Sequence, residues 1–382
     1  MTGTKEKTTA PIPSVGADEE QPITKYYNQS ITEDLVKSNN ELSLQDMARR
    51  MQQLSDPAFL PTFSMNELYE NVYESRPPII DSLLYTGTYL FVGAPKVGKS
   101  FFMAQLAYHV SVGLELWGYP VRKGTVLYLA LEDTQKRLQE RLFRMFGTET
   151  TENLHFTIWS KQLGNGLDEQ LQKFIDEHPD TKLIIIDTLQ KIREAGGEKY
   201  SYASDYEIVG RLKQFADKNH ICLLLVHHTR KQYAEDKFDM ISGTNGLLGA
   251  ADGAFLLQKE KRTSGSATLE ISGRDQQNQR LYLVKDNDRL IWKFEKAETE
   301  VWKVPSDPLL DTVATLVTPE RPIWRGTATD LVERLGLDMK ANTLSMRLNV
   351  NADRLLYEYK IRYENVRSHA GRCITLMLNP EA

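Results

Sequence analysis

Gly93-Ala94-Pro95-Lys96-Val97-Gly98-Lys99-Ser100 is the stretch on which the reading of this chain turns. It matches G-x-x-x-x-G-K-[ST] at every fixed position. The run before it, Thr88-Tyr89-Leu90-Phe91-Val92, is apolar and rich in strand formers. The run behind it, Phe101 to Val112, carries Phe102, Leu106, Ala107 and Val110 at helical spacing. Strand, glycine loop and helix in this order make a cradle for phosphate. The glycines let successive backbone N–H groups curl around phosphate oxygens, and the helix N-terminus adds partial positive charge. The binding segment is therefore expected to run from Gly93 through Phe101. Lys99 is expected on the β- and γ-phosphates and the Ser100 hydroxyl on Mg²⁺. No guanine-reading N-K-x-D occurs, so ATP is the expected nucleotide.

A chain of 382 residues has room for one sizeable domain and one or two small ones. The net charge of −5 argues against nucleic-acid binding by bulk charge and leaves a local basic surface open. Cys222 and Cys373 lie far apart in apolar contexts without metal-ligand spacing, which reads as buried thiols in a reducing compartment. No run approaches the length of a membrane span, and the N-terminus lacks the apolar core of a signal peptide. A cytoplasmic protein without a membrane partner is expected.

Three regions follow from composition and periodicity. Residues 1–63 read as a largely disordered tail, with one short helix from Leu44 to Leu54 after Ser43. Residues 64–300 open on a helix capped by Ser64 and then alternate strands with helices. Val126 to Leu131, His155 to Trp159, Leu183 to Ile186 and Ile221 to Val226 are the strands, and continuous apolar runs among them suit parallel strands covered on both faces. Gly253 to Gln258, Ala267 to Ser272 and Leu281 to Lys285 look like an antiparallel extension. Residues 305–382 differ: helices at Leu309 to Leu316, Ala328 to Leu335 and Lys340 to Arg354 precede two period-two runs, Tyr359 to Val366 and Cys373 to Leu378. Helices followed by a hairpin are the layout of a winged helix.

Three strand ends carry further chemistry. Leu183-Ile184-Ile185-Ile186-Asp187 ends in a carboxylate placed to hold Mg²⁺. Val126-Leu127-Tyr128-Leu129-Ala130-Leu131-Glu132-Asp133 repeats the pattern, with Glu132 placed to polarise an attacking water and Asp133 a candidate cap for the next helix. Leu223-Leu224-Leu225-Val226-His227-His228 is the third, where a histidine either senses the γ-phosphate or serves the fold.

Glycine loop, strand-Glu-Asp, strand-Asp and strand-His-His in this order resemble the RecA-like ATPases of the plasmid RepA-type hexameric helicases, cousins of DnaB and RecA, over roughly residues 64 to 295. The resemblance implies an α/β RecA-like P-loop fold with a mostly parallel central sheet. It implies Lys99 and Ser100 on phosphate and Mg²⁺, Asp187 as the Walker B carboxylate, Glu132 as catalytic base and His228 as sensor. It implies a homo-oligomeric, hexameric ring whose nucleotide sits at a subunit interface and borrows a basic residue from the neighbour. Arg274 is the first candidate for that residue, then Arg262 and Lys259. The chain departs from the pattern at Leu248-Gly249-Ala250-Ala251-Asp252-Gly253, where that family has an arginine after its Gly-Ser loop.

In such rings the loops after the Asp and His strands face a channel for single-stranded DNA. Here they span Thr188 to Asp205, with Lys191, Arg193 and Lys199, and Thr229 to Gly246, with Arg230, Lys231 and Lys237. Lys340 to Arg372 carries seven basic residues against three acidic ones, a local excess of +4. In a winged helix, Asn342, Ser345, Asn349 and Arg354 would line the helix entering a duplex groove, and His369 and Arg372 the wing. The expected function is an ATP-hydrolysing motor on single-stranded DNA in replication of a plasmid or mobile element. A regulatory ATPase using nucleotide as an assembly switch, or a loader of another replication protein, competes with it.

Overall fold

The computed structural model describes residues 52–53, 55–73, 77–193, 202–230, 237–241, 245–259, 261, 263–274, 276–298, 305–368 and 371–379. Most of the tail expected at 1–63, including most of the helix expected at 44–54, and Lys199, Lys231, Arg262 and His369 lie outside these residues. The chain divides into two units, residues 1–38 with 42–61 and residues 39–41 with 62–382. In the first, residues 55–61 are exposed.

The first helix of the second unit, α1 (Met65–Glu70), opens on a capping box between Ser64 and Glu67. Then come β1 (Gly87–Gly93), α2 (Lys99–Val112), β2 (Thr125–Ala130), α3 (Gln135–Phe146), β3 (Leu154–Thr157), α4 (Leu167–Glu177) and β4 (Thr181–Asp187). A short α5 (Leu189–Ile192), α6 (Tyr202–Asn219), β5 (Cys222–His228), α7 (Asn245–Ala250) and β6 (Gly253–Gln258) follow. Strands β7 (Ser266–Gly273), β8 (Gln279–Lys285) and β9 (Trp292–Ala297) complete one nine-stranded sheet in the order β3-β2-β4-β5-β1-β6-β7-β8-β9.

The apolar runs of β1, β4 and β5 are explained by burial on both faces. Tyr89, Phe91, Leu183, Ile185, Leu224 and Val226 pack toward α2, while Leu90, Val92, Ile184, Ile186, Leu223 and Leu225 pack toward α4 and α6. The six strands from β3 to β6 in the sheet order run parallel. Gly253–Gln258 therefore belongs to the parallel set and not to the antiparallel extension expected from the sequence. The chain crosses back through α7 before entering it beside β1. The antiparallel part consists of β7, β8 and β9. Strand β9 is not legible in the sequence, since its exposed edge buries only Trp292.

The C-terminal region has its own core. It contains α8 (Pro308–Ala314), β10 (Ile323–Gly326), α9 (Ala328–Leu335), α10 (Ala341–Val350), α11 (Ala352–Tyr359), β11 (Ile361–Ser368) and β12 (Gly371–Leu378). The strands form an antiparallel sheet in the order β10-β12-β11. The single helix expected over 340–354 is two helices, with Asn351 between them at φ −104°, ψ 18°. Leu310, Val313, Leu331, Leu344, Leu348, Leu355, Ile374 and Leu376 fill this core. Although α1 precedes the large sheet in sequence, it is tied here: Asn349 donates to the Tyr69 carbonyl at 2.9 Å, Arg372 pairs with Glu70 at 2.7 Å, and Val72 packs against the core. Among the described residues no helix is long and apolar enough to cross a membrane.

Candidate functional site

Strand register brings four chain segments to one edge of the large sheet. Gly93 stands opposite His228, and Asp187 opposite Ala130. The carboxyl ends of β1, β2, β4 and β5 thus finish together, where open α/β sheets present ligand sites. Glu132 lies two residues beyond the end of β2.

Two glycines in the loop are required by contact and conformation. A Cβ at Gly93 would stand 2.6 Å from the Leu257 carbonyl oxygen of the neighbouring β6. Gly98 has φ +112°, and a Cβ there would meet the Trp292 ring at 2.9 Å. Gly98 is also the N-cap of α2 and supplies no capping side chain, so the first N–H groups of this helix are left for a ligand. Trp292 braces the loop from below. Its backbone exchanges hydrogen bonds with the Gln105 side chain at 2.7 and 2.9 Å, and its carbonyl also accepts from Trp117 at 2.8 Å.

The charged groups gather behind the loop. Lys99 Nζ donates to the carbonyls of Gly93 (2.8 Å) and Ala94 (3.3 Å) and lies 3.1 Å from His228 Nδ1. With the lysine charged, that nitrogen must accept, which puts the ring proton on Nε2. Ser100 Oγ and the Tyr128 hydroxyl both donate to Asp187 Oδ2, at 2.8 and 2.9 Å. Thr188 Oγ1 lies 3.4 Å from Glu132 Oε1. Burial lowers the Lys99 ammonium to about 8, against the pull of Asp187 and Glu132. Burial raises the Asp187 carboxyl, opposed by the Ser100 and Tyr128 hydrogen bonds. Burial and then the Lys99 charge lower the His228 imidazole. Displaced ionisations clustered at a sheet edge are a mark of functional sites.

Asp133 is differently employed. It forms a two-pronged pair with Arg141 at 2.7 and 3.2 Å and lies 3.5 Å from Arg137. The helix cap is Thr134, which accepts from the Arg137 amide at 3.3 Å, so Asp133 pins α3 through its face and not its end. Phe101 is half-buried, with Lys285 Nζ 4.1 Å and the Arg141 guanidinium 5.2 Å from its ring centroid.

Arg274 is not brought to this cluster. It follows Gly273, which pairs with Gly253 at the start of β6, whereas Gly93 pairs with Leu257 near its end. Arg274 therefore sits at the amino edge of the parallel strands, donating to the Gly249 carbonyl at 2.8 Å. Lys259 lies 5.5 Å from the Trp292 ring centroid and donates to the Ser264 carbonyl.

Several cations expected to meet DNA are engaged within the chain. Arg193 forms an ion pair of 2.8 Å with Asp205, which is fully buried. Lys237 pairs with Glu270, and Arg230 donates to the Ile241 carbonyl. In the C-terminal region Arg354 pairs with Glu358 at 2.6 Å. Ser345 and Asn349, expected on a groove-facing surface, instead share the inner stripe of α10 with Leu344 and Leu348. Asn349 Oδ1 accepts from Tyr363 at 2.8 Å and Asn365 at 3.0 Å. Asn342 remains exposed.

The oxygens at Ser100 and Asp187 suit a hard cation. Among the described residues no group of three or more His, Cys, Asp or Glu could hold a metal. A site with two protein oxygens that leaves the remaining positions to phosphate and water matches the habits of Mg²⁺.

Fold and site together define a class: a mostly parallel α/β domain with a phosphate-binding P-loop at the carboxyl edge of its sheet. A family model described as AAA domain matches residues 55–234. No curated protein matches the chain. Among solved structures the chain is similar to the ATPase domain of another protein, at 16% identity over 55% of this chain and 85% of that one, with a TM-score of 0.47. It is also similar to a DnaB-like replicative helicase described with its interactions with primase, at 16% identity over 71% of this chain and 76% of that one, with a TM-score of 0.48.

Proposed function

We propose that the chain hydrolyses ATP and acts as a motor on single-stranded DNA during replication of a plasmid or mobile element, assembled as a homo-oligomeric, hexameric ring. The observation that carries the hydrolytic part is the convergence of Lys99, Ser100, Asp187, Glu132 and His228 at one sheet edge. In this reading Lys99 leaves the loop carbonyls for the β- and γ-phosphates. Ser100 and Asp187 would hold Mg²⁺, which would supply positive charge beside the phosphate oxygens. Glu132, exposed beyond the end of β2, orients the attacking water and accepts its proton. His228, released by Lys99, reports the presence of phosphate to the segment after β5. Arg274 lies at the far edge of its own sheet, so its role as a charge-stabilising arginine is toward a neighbouring subunit. The DNA-binding part is supported by the basic excess over Lys340 to Arg372, read as a winged helix.

A second reading is favoured by the engagement of Arg193, Lys237 and Arg354 in ion pairs. Cations already paired with carboxylates are less available to a phosphate backbone, and a nucleotide-driven assembly switch has no need of them. ATP turnover by the full chain with and without single-stranded DNA separates the two. The motor requires severalfold stimulation by DNA that is lost with Lys99→Ala. Turnover that is indifferent to DNA selects the switch. A wild type with no turnover in either condition overturns the hydrolytic reading itself.

A further inference from the structure

Tyr128 has no part in the roles above, yet it touches the centre of the site. Its side chain is fully buried, with its ring 5.5 Å from that of Phe156. Its hydroxyl donates to Asp187 Oδ2, and among the described residues this is the hydrogen bond it makes. Register explains the contact. Ala130 stands opposite Asp187, and Tyr128 is the same-face residue two positions earlier, on the diagonal that an aromatic side chain spans. Ala130 presents only a methyl, which leaves the Asp187 carboxylate free to meet the phenol at 2.9 Å.

Oδ2 therefore receives two hydroxyls of different character. Ser100 has a short side chain on the first turn of α2 and can exchange its partner by rotation about χ1. Tyr128 is locked in the core, and among the described residues its hydroxyl donates to Asp187 alone. When Ser100 turns toward a cation, Tyr128 is the donor that stays. Second partners of this kind orient the carboxylates that serve metals.

We infer that Tyr128 is a positioning residue for the divalent cation, its hydroxyl holding the Asp187 carboxylate in the orientation that receives Mg²⁺ with the nucleotide. The inference rests on the Mg²⁺–nucleotide reading of the site. A merely structural phenol that has found a convenient acceptor would leave the response to Mg²⁺ unchanged.

The test is binding of a fluorescent ADP analogue to full-length wild type and Tyr128→Phe, first in EDTA and then across a Mg²⁺ titration. The Mg²⁺ concentration for half-maximal tightening is expected to rise about tenfold or more in the variant, with the affinity in EDTA retained. A variant whose Mg²⁺ titration overlays the wild type overturns the role of Tyr128 alone. A wild type that binds nucleotide without any response to Mg²⁺ overturns the reading of the site as well. Should Tyr128→Phe not fold, 3-fluorotyrosine placed at position 128 gives a second readout. Its ¹⁹F resonance should move when Mg²⁺ is added to the ADP-bound protein, and a stationary resonance refutes the proposal.

Discussion

At the carboxyl edge of the large sheet, Lys99 and Asp187 are 7% and 6% exposed and are held by neutral partners: carbonyls and a histidine for one, two hydroxyls for the other. In the C-terminal core, Asn349 is 4% exposed and its amide both donates and accepts within the fold. The same degree of burial has opposite meanings. A buried charge whose hydrogen-bond partners are neutral dipoles is incompletely compensated by the opposite charges nearby, and its ionisation is displaced in the direction that burial dictates. A buried amide with its partners in place has nothing left to offer a ligand. Incomplete compensation, more than burial, separates the site from the core.

The sharpest way to break this comparison is at Glu132. Glu132→Gln should lower the rate of ATP hydrolysis by roughly 10²- to 10⁴-fold while nucleotide binding persists, as steady-state turnover beside equilibrium binding will reveal. Lys99→Met comes next. Lys99 is lowered from 10.5 to about 8, so the unfolded chain holds more protons between those values and stability rises with pH across that window. Below pH 8 the penalty of the buried charge is fully present. The methionine variant should thus be more stable to denaturant at neutral pH, by on the order of 1–3 kcal/mol, and converge on wild type toward pH 10.5. It should also lose the stabilisation that nucleotide gives the wild type.

Asn349→Ala tests the other side. It should cost about 2 kcal/mol in denaturant unfolding by stranding its buried partners, equally with and without nucleotide. Weaker DNA binding at unchanged stability would instead make Asn349 a ligand-facing residue and collapse the contrast. Arg354→Ala is the smallest expected effect, about 0.5 kcal/mol or less, because its partner Glu358 is one helical turn away and largely solvated.

Legibility followed locality. The glycine loop and the strand-end positions of Asp187 and His228 could be read because each depends on a few adjacent residues. The parallel direction of β6 could not, since it depends on how the chain returns through α7. The contribution of Tyr128 was hidden for the same reason: its partner is 59 residues away and reaches it only through the pairing of β2 with β4. Trp292 lies 194 residues beyond the Gly98 it supports. On α10 the winged-helix layout put Ser345 and Asn349 on a groove-facing surface, but the stripe at 344, 345, 348 and 349 turns inward.

By itself the sequence determined the alternating elements, the phosphate loop and the residue types at the strand ends, because backbone conformation and apolar periodicity are set over a few residues. Only the tertiary structure decided which strand ends are neighbours, which histidine meets Lys99, which hydroxyls hold Asp187, and which polar side chains the fold consumes. In a parallel sheet, neighbours are joined by long crossovers, so contact between them is settled by packing and not by order in the chain.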